Sequence, residues 1–181
     1  MPSNPRVRVL LLNGVAQSGK DTVIDTLETL KDTNVIRVSS VDWVKKVAKL
    51  CGWTGTKTEE DRLFLATLKD ALTQFNESPQ SQTIQEVAKQ LKALPLLSPT
   101  DQTFICICAR EPRDLEYFKE YYQKTKNYPV TTVLVTRAKA EKNTPNNKAD
   151  QGVFDYEYDL TLSNNTSLKK FQQTIINIFE E

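Results

Sequence analysis

The stretch Gly14-Val15-Ala16-Gln17-Ser18-Gly19-Lys20-Asp21-Thr22 follows an apolar run, Val7 to Leu12, and precedes a segment of helical pattern. Its glycines and lysine have the spacing G-x-x-x-x-G-K of a phosphate-binding loop, in the required setting between a strand and a helix. The glycines allow backbone N–H groups to converge on phosphate oxygens at a helix N-terminus. The motif therefore predicts a nucleoside triphosphate site, with the ammonium group of Lys20 close to the β- and γ-phosphates. The residues predicted to contact the nucleotide are Gly14, Ala16, Gln17, Ser18, Gly19, Lys20, Asp21 and Thr22.

Asp21 stands where Ser or Thr usually follows the lysine and holds Mg²⁺, and Thr22 comes one place later. One interpretation is structural, because Ser18-x-x-Asp21 has the spacing of a capping box and a carboxylate in the first turn suits the helix dipole. The other makes Asp21 an oxygen ligand or water-holder for the metal, since hard cations prefer carboxylate and water. The two interpretations are compatible, and the sequence leaves both open.

The composition limits the class of protein. A chain of 181 residues predicts one domain with a substantial core. Lysine plus arginine (24) nearly balances aspartate plus glutamate (23), so there is no direct evidence for a nucleic-acid partner. No stretch resembles a membrane span or a signal peptide, and Cys106 and Cys108 alternate as if on one buried strand face. We expect a cytoplasmic protein with no membrane partner, whose oligomeric state stays open, a homodimer included.

The chain contains no histidine. Serine-histidine-aspartate and cysteine-histidine catalysis are therefore excluded, and so is any histidine-ligated metal. Phosphoryl transfer remains, because it depends on positioning and electrostatic stabilisation.

Apolar runs alternate with helical patterns along the chain. The predicted strands cover residues 6–13, 34–39, 103–109, 131–137 and 156–162. This alternation predicts a three-layer α/β/α fold around a five-stranded, mostly parallel sheet, with ligands at the carboxyl ends of the strands. Residues 138–152 are polar and predict a mobile loop.

A helix is predicted from Glu59 to Phe75. Arg62 and Lys69 lie seven residues apart and share one stripe of this helix, for which spacing alone favours a solvated face. The apolar residues expected to be buried are Phe64, Leu68, Ala71, Leu72 and Phe75.

Charged residues follow the predicted strands where ligands gather. Arg110 could bind a phosphate through two parallel hydrogen bonds, or pair with Glu111 at a helix start. Arg137 could reach the transferring phosphoryl group, or be a solvated loop residue. Asp42 lies where an acceptor or metal would bind, although an acidic residue also suits a first helical turn. We therefore identify Lys20, Arg110 and Arg137 as the candidate catalytic residues.

Several motifs occur in the order found in one family. The loop Ser18-Gly19-Lys20-Asp21-Thr22 resembles that of the bacteriophage-type deoxynucleoside monophosphate kinases and the related phosphomevalonate kinases. The further motifs that resemble the phage and firmicute branch are Ser40-Val41-Asp42, Trp53-x-Gly55-x-Lys57, Asp61-Arg62-x-Phe64-Leu65, Leu68-Lys69-Asp70 and Arg110-Glu111-Pro112.

The resemblance implies a single P-loop kinase domain over residues 1–181, with a helical acceptor-binding insertion at about 42–98 and a short lid at about 138–152. ATP and Mg²⁺ would bind at the loop, with Asp21 as metal ligand. The acceptor residues implied are Asp42, Arg62, Lys69 and Arg110. Two departures stand out: the third strand ends in Cys108-Ala109-Arg110 without the family's aspartate, and Arg137 is not followed by a second arginine.

The implied reaction transfers a phosphoryl group from ATP to a (deoxy)nucleoside monophosphate, giving ADP and a diphosphate. Two alternatives remain open. The acceptor could be a non-nucleotide phosphate, as in the phosphomevalonate kinases, or the chain could bind nucleotide without catalysis.

Overall fold

A parallel sheet organises the chain in the computed structural model, which describes residues 6–94, 101–142 and 152–180. The strands are β1 (Arg6–Asn13), β2 (Thr33–Ser39), β3 (Gln102–Cys108), β4 (Val130–Thr136) and β5 (Leu160–Ser163). The helices are α1 (Lys20–Leu27), α2 (Asp42–Leu50), α3 (Glu59–Asn76), α4 (Ser78–Ala93), α5 (Pro112–Glu120) with a π-helical turn (Tyr121–Thr125), α6 (Ala138–Lys142) and α7 (Leu168–Phe179).

The strand order is β2-β3-β1-β4-β5, and every described pairing is parallel. The predicted three-layer α/β/α fold with a five-stranded parallel sheet is confirmed. In this order the chain reverses direction across the sheet between β1 and β3, and open α/β sheets bind ligands at such a switch point.

The two faces of the sheet carry separate apolar clusters because successive strand residues point to opposite sides. Leu10, Leu12 and Cys106 pack against α1 and α7 on one face. Val9 and Leu11 pack with residues of α4 and α5 on the other. The strands are buried on both faces, which explains their nearly continuous apolar sequences.

The observed bounds of β2, β3 and β4 differ from the predicted ones by one residue. Strand β5 begins later, at Leu160 rather than Tyr156, and helix α4 has Pro79 in its first turn. The predicted loop at 138–152 starts with the helix α6, while residues 143–151 lie outside the described part. In the described ranges, no helix is long and apolar enough to cross a membrane.

Helix α3 buries a different face from the predicted one. Its buried residue is Lys69, at 4% exposure, whereas Phe75 is 83% exposed and Phe64 is 40% exposed. Ala71 is also exposed, so the predicted apolar face of this helix is wrong. Leu68 and Leu72 are only half-buried.

An ion-pair cluster explains this orientation. Lys69 Nζ donates to Glu111 Oε1 at 2.6 Å and to Asp114 Oδ2 at 2.5 Å. Gln80 Nε2 of α4 donates to the other oxygen of Asp114 at 2.7 Å. The cluster joins α3 and α4 to α5, and each carboxylate oxygen named is satisfied. Arg113 pairs with Glu111 and with Asp70, each at 2.7 Å, at the exposed edge.

Replacing Lys69 with methionine is expected to lower the free energy of unfolding by about 3–5 kcal/mol, since the change leaves the carboxylate of Asp114 buried without its cation. Urea unfolding followed by circular dichroism measures the loss. Combining Lys69→Met with Asp114→Asn should cost less than the sum of the two single changes, because both act on one contact.

Lys124→Met is the matched control for this prediction. Lys124 pairs with Glu120 at 2.7 Å, but the two side chains are 75% and 65% exposed. Such exposed pairs contribute about 0–1 kcal/mol. Equal losses in the two lysine variants would show that the buried cluster does not stabilise the fold as described.

Candidate active site

The loop between β1 and α1 has an unusual backbone. Gly14 and Gly19 have φ values of 142° and 115°, and Gln17 has a φ of 63°. A Cβ at Gly14 would lie 2.3 Å from the backbone oxygen of Val135. Glycine is therefore required at the start of the loop, where it touches the neighbouring strand β4. Ala16 and Gln17 form the exposed tip.

Ser18 does not form the predicted capping box. Gly19 is the residue before the first helical turn, and no side chain caps this turn. Ser18 is fully buried, and its Oγ lacks a hydrogen-bond partner among the described residues. A buried hydroxyl without a partner is unfavourable, so this atom is well suited to a ligand that supplies an acceptor. The structural interpretation of Asp21 as part of a capping box is therefore wrong.

Lys20 is the first residue of α1, at the end of this loop. Its Nζ donates to the carbonyl of Gly14 at 2.6 Å and to that of Val15 at 2.9 Å. The ammonium group is therefore held beside the loop backbone.

Asn13 joins the loop to the end of strand β3. Its Oδ1 accepts a hydrogen bond from the backbone N–H of Gly14 at 2.7 Å. Its Nδ2 donates to the backbone oxygen of Arg110 at 3.1 Å and to Tyr158 Oη at 2.7 Å. Burial raises the pKa of Tyr158 to about 12, so its hydroxyl stays protonated and donates a hydrogen bond to the carbonyl of Val153. Sequence reasoning missed Asn13, although a polar residue ending an apolar strand was a usable signal.

Arg110 lines an open cavity of about 480 Å³ beyond the end of β3. Arg113, Asp70 and Gln74 line the same cavity. It lies between α3, the start of α5 and the segment at Gly152, next to the turn that Asn13 binds.

Asp42 and Trp43 lie in a second cavity, of about 350 Å³, that shares no lining residue with the first. Asp42 Oδ2 accepts the backbone N–H of Ser39 at 2.9 Å and so closes the turn after β2. The structure does not place Asp42 and Arg110 in one cavity.

The remaining candidates are at the surface or turned inward. Arg137 is exposed, and its backbone begins α6, where Glu141 Oε1 accepts its N–H at 3.0 Å. Arg62 is exposed on α3. Lys69 is buried in the ion-pair cluster, so its ammonium group does not face either cavity.

Asp21 is 85% exposed at the start of α1, and Arg37 NH1 lies 3.9 Å from its carboxylate. Arg37 also pairs with Asp25 and Glu28 further along the helix. No group of three or more acidic, cysteine or histidine side chains that could hold a metal occurs in the described ranges. Mg²⁺ usually needs only one or two carboxylates, together with phosphate oxygens and water, so an exposed Asp21 fits that requirement.

The two cysteines of β3 are poorly suited to act as nucleophiles. Burial raises the pKa of Cys108 to about 11 and also raises that of Cys106. Both stay protonated at neutral pH, and the thiol is a weak nucleophile. Both pack against the α1 side of the sheet, as their alternation predicted.

No family model and no curated protein matches the chain. Among the solved structures that are similar to it, three match over nearly their whole lengths. A tunicamycin resistance protein from Deinococcus radiodurans has a TM-score of 0.55 and 7% identity, and the match covers 98% of this chain and 96% of that chain. TT1252 from Thermus thermophilus has a TM-score of 0.51 and 15% identity, and the match covers 98% of both chains. A thymidylate kinase from Candida albicans has a TM-score of 0.50 and 14% identity, and the match covers 97% of this chain and 92% of that chain. At such low identity the likeness concerns the architecture alone. By its sheet order, its loop and these similarities, the chain has the fold of P-loop kinases.

Proposed function

We propose that the chain transfers the γ-phosphoryl group of ATP to a (deoxy)nucleoside monophosphate, giving ADP and a nucleoside diphosphate. One observation supports this most. Asn13 hydrogen-bonds both the first N–H of the phosphate-binding loop and the backbone oxygen of Arg110, at 2.7 and 3.1 Å. The phosphate-binding loop and Arg110 therefore follow adjacent strands, β1 and β3, and this arrangement would suit a reaction between two anions.

The chain's own groups would act by positioning and by charge. An acceptor phosphate has a second pKa of about 6, so it is mostly dianionic at neutral pH and needs no general base. This suits a chain without histidine. Lys20 and Arg110 would hold the two phosphate groups in line and offset their repulsion, with Arg137 approaching from the end of β4. The loop residues 14–22 would hold the nucleotide.

Asp21 would hold Mg²⁺, with Thr22 beside it. When bound, the metal ion would neutralise part of the negative charge on the β- and γ-phosphates. The helices within residues 42–98 would bind the acceptor, and the exposed side chains of Asp42 and Arg62 are candidates for contacting it. Residues 138–152 would form the lid. We assign Lys69 a supporting role instead, since its side chain is 5% exposed and bonds two carboxylates.

A non-nucleotide phosphate acceptor is the second candidate, and the residues that line the Arg110 cavity favour it. Its described lining residues are polar or small and include no aromatic ring on which a base could stack. Of the aromatic residues available, Trp43 lines the other cavity and Tyr122 is buried in the core. The fold itself accommodates a nucleotide acceptor, as the similar thymidylate kinase indicates by its name.

A coupled ADP-release assay tests the proposal. It uses ATP, Mg²⁺ and each of the eight common ribo- and deoxyribonucleoside monophosphates, with phosphomevalonate as a ninth acceptor. We expect acceptor-dependent ADP release with at least one nucleotide. Release with phosphomevalonate alone would favour the second candidate. ATP binding by calorimetry without turnover on any acceptor would indicate a nucleotide-binding protein without catalysis.

A further inference from the structure

Two adjacent asparagines after β5 contact two separate parts of the proposed site. Asn164 Nδ2 donates to the backbone oxygen of Ser18 in the phosphate-binding loop, at 2.8 Å. Asn165 Oδ1 accepts the backbone N–H of Ala138, the first residue of α6, also at 2.8 Å. The backbone N–H of Asn164 donates to Thr136 at 2.8 Å and fixes both residues against the end of β4.

The partners decide which end of each amide is used. A backbone carbonyl only accepts, so Asn164 must present its N–H group to Ser18. A backbone N–H only donates, so Asn165 must present its oxygen to Ala138. Asn164 therefore acts as a hydrogen-bond donor and Asn165 as an acceptor, although the two side chains are identical and adjacent.

Each contact lies beside a proposed catalytic residue: the Asn164 contact is near Lys20, and the Asn165 contact is near Arg137. A Cβ on Gly19 would lie 2.4 Å from Asn164 Nδ2, so this amide packs directly on the residue before α1. Gly19 has a φ of 115° there and precedes Lys20. On the other side, Ala138 directly follows Arg137, and the carbonyl of Arg137 accepts the N–H groups of Ala140 and Glu141 at 2.9 and 3.0 Å.

We propose that Asn164 and Asn165 are positioning residues, the first for the phosphate-binding loop and the second for Arg137 at the start of α6. The inference rests on the proposed function for its kinetic consequences. Its structural part concerns the free protein and can be tested without activity.

Changing each asparagine to aspartate gives a matched pair, because both variants add one negative charge at neighbouring positions. Asn164→Asp removes the N–H donor and sets a carboxylate against the carbonyl of Ser18. We expect the Kd for ATP, measured by calorimetry, to rise about tenfold or more. Asn165→Asp keeps an oxygen acceptor for Ala138 and should retain most of the wild-type turnover and ATP affinity. Asn165→Ala loses that acceptor, so kcat should fall about tenfold while the Kd for ATP is unchanged.

Hydrogen exchange measured by mass spectrometry separates this inference from the function. In the free protein, Asn164→Asp should speed exchange in residues 14–22, and Asn165→Ala should speed it in residues 137–142. Equal effects of the two aspartate variants, or no local change in exchange, would overturn the inference. An inactive wild-type protein with the expected exchange pattern would overturn only the proposed function.

Discussion

Replacing Lys20 with alanine is expected to lower the turnover number by about 10²-fold or more while the protein stays folded. The ammonium group of Lys20 donates to the loop itself, at the carbonyls of Gly14 and Val15. Losing those two hydrogen bonds should cost about 1 kcal/mol each, which a domain of this size tolerates. The loss of turnover is larger, because the ammonium group would offset charge on the transferring phosphoryl group.

Lys31→Ala is the matched control for Lys20→Ala. Lys31 follows the same helix, and its side chain is 91% exposed. Its ion pair with Asp32 is long, at 4.0 Å. Its removal should leave turnover and ATP affinity unchanged. Circular dichroism and the coupled ADP-release assay compare the three proteins. Near wild-type turnover in Lys20→Ala would contradict the assignment of the loop as the site of phosphoryl transfer.

If no acceptor is found, calorimetry with ATP still tests Lys20. The Kd should rise in Lys20→Ala and stay constant in Lys31→Ala, because only Lys20 lies at the loop. An unchanged Kd in both variants would mean that the loop does not bind nucleotide through its lysine.

The parts of the fold that the sequence predicted are those set by local pattern. Strands buried on both faces need continuous apolar runs, and β1 and β3 have them. The glycine spacing of the loop is likewise local, because the turn from β1 into α1 requires positive φ at Gly14 and Gly19. Both features could therefore be read without knowledge of distant residues.

The parts that could not be predicted depend on contacts between distant residues. Lys69 is buried because its partners Glu111 and Asp114 come 42 and 45 residues later, and helical spacing carries no sign of them. Asn13 joins the loop to Arg110 and Tyr158, which are 97 and 145 residues away. The capping box failed for a different reason: its sequence pattern was present, but the backbone of Gly19 already forms the helix start.

Arg110→Ala is expected to lower kcat/KM for the acceptor by about 10²- to 10³-fold and to leave the Kd for ATP unchanged. The reason is position. Arg110 follows β3 at the switch point of the sheet, Asn13 binds its backbone, and it lines the cavity beyond the end of β3. Arg110→Lys keeps the charge but not the two-pronged geometry, so its loss should be intermediate. The coupled assay at varied acceptor concentration measures each value.

Arg113→Ala is the control that separates a role for Arg110 from a general need for positive charge in the cavity. Arg113 lines the same cavity, and its guanidinium is paired with Glu111 and with Asp70, each at 2.7 Å. Those carboxylates compete with any anionic acceptor for it, so kcat/KM should fall less than about tenfold. Equal losses in Arg110→Ala and Arg113→Ala would mean that the cavity attracts the acceptor by its overall charge. A loss confined to Arg113→Ala would move the acceptor site away from the end of β3 towards α3.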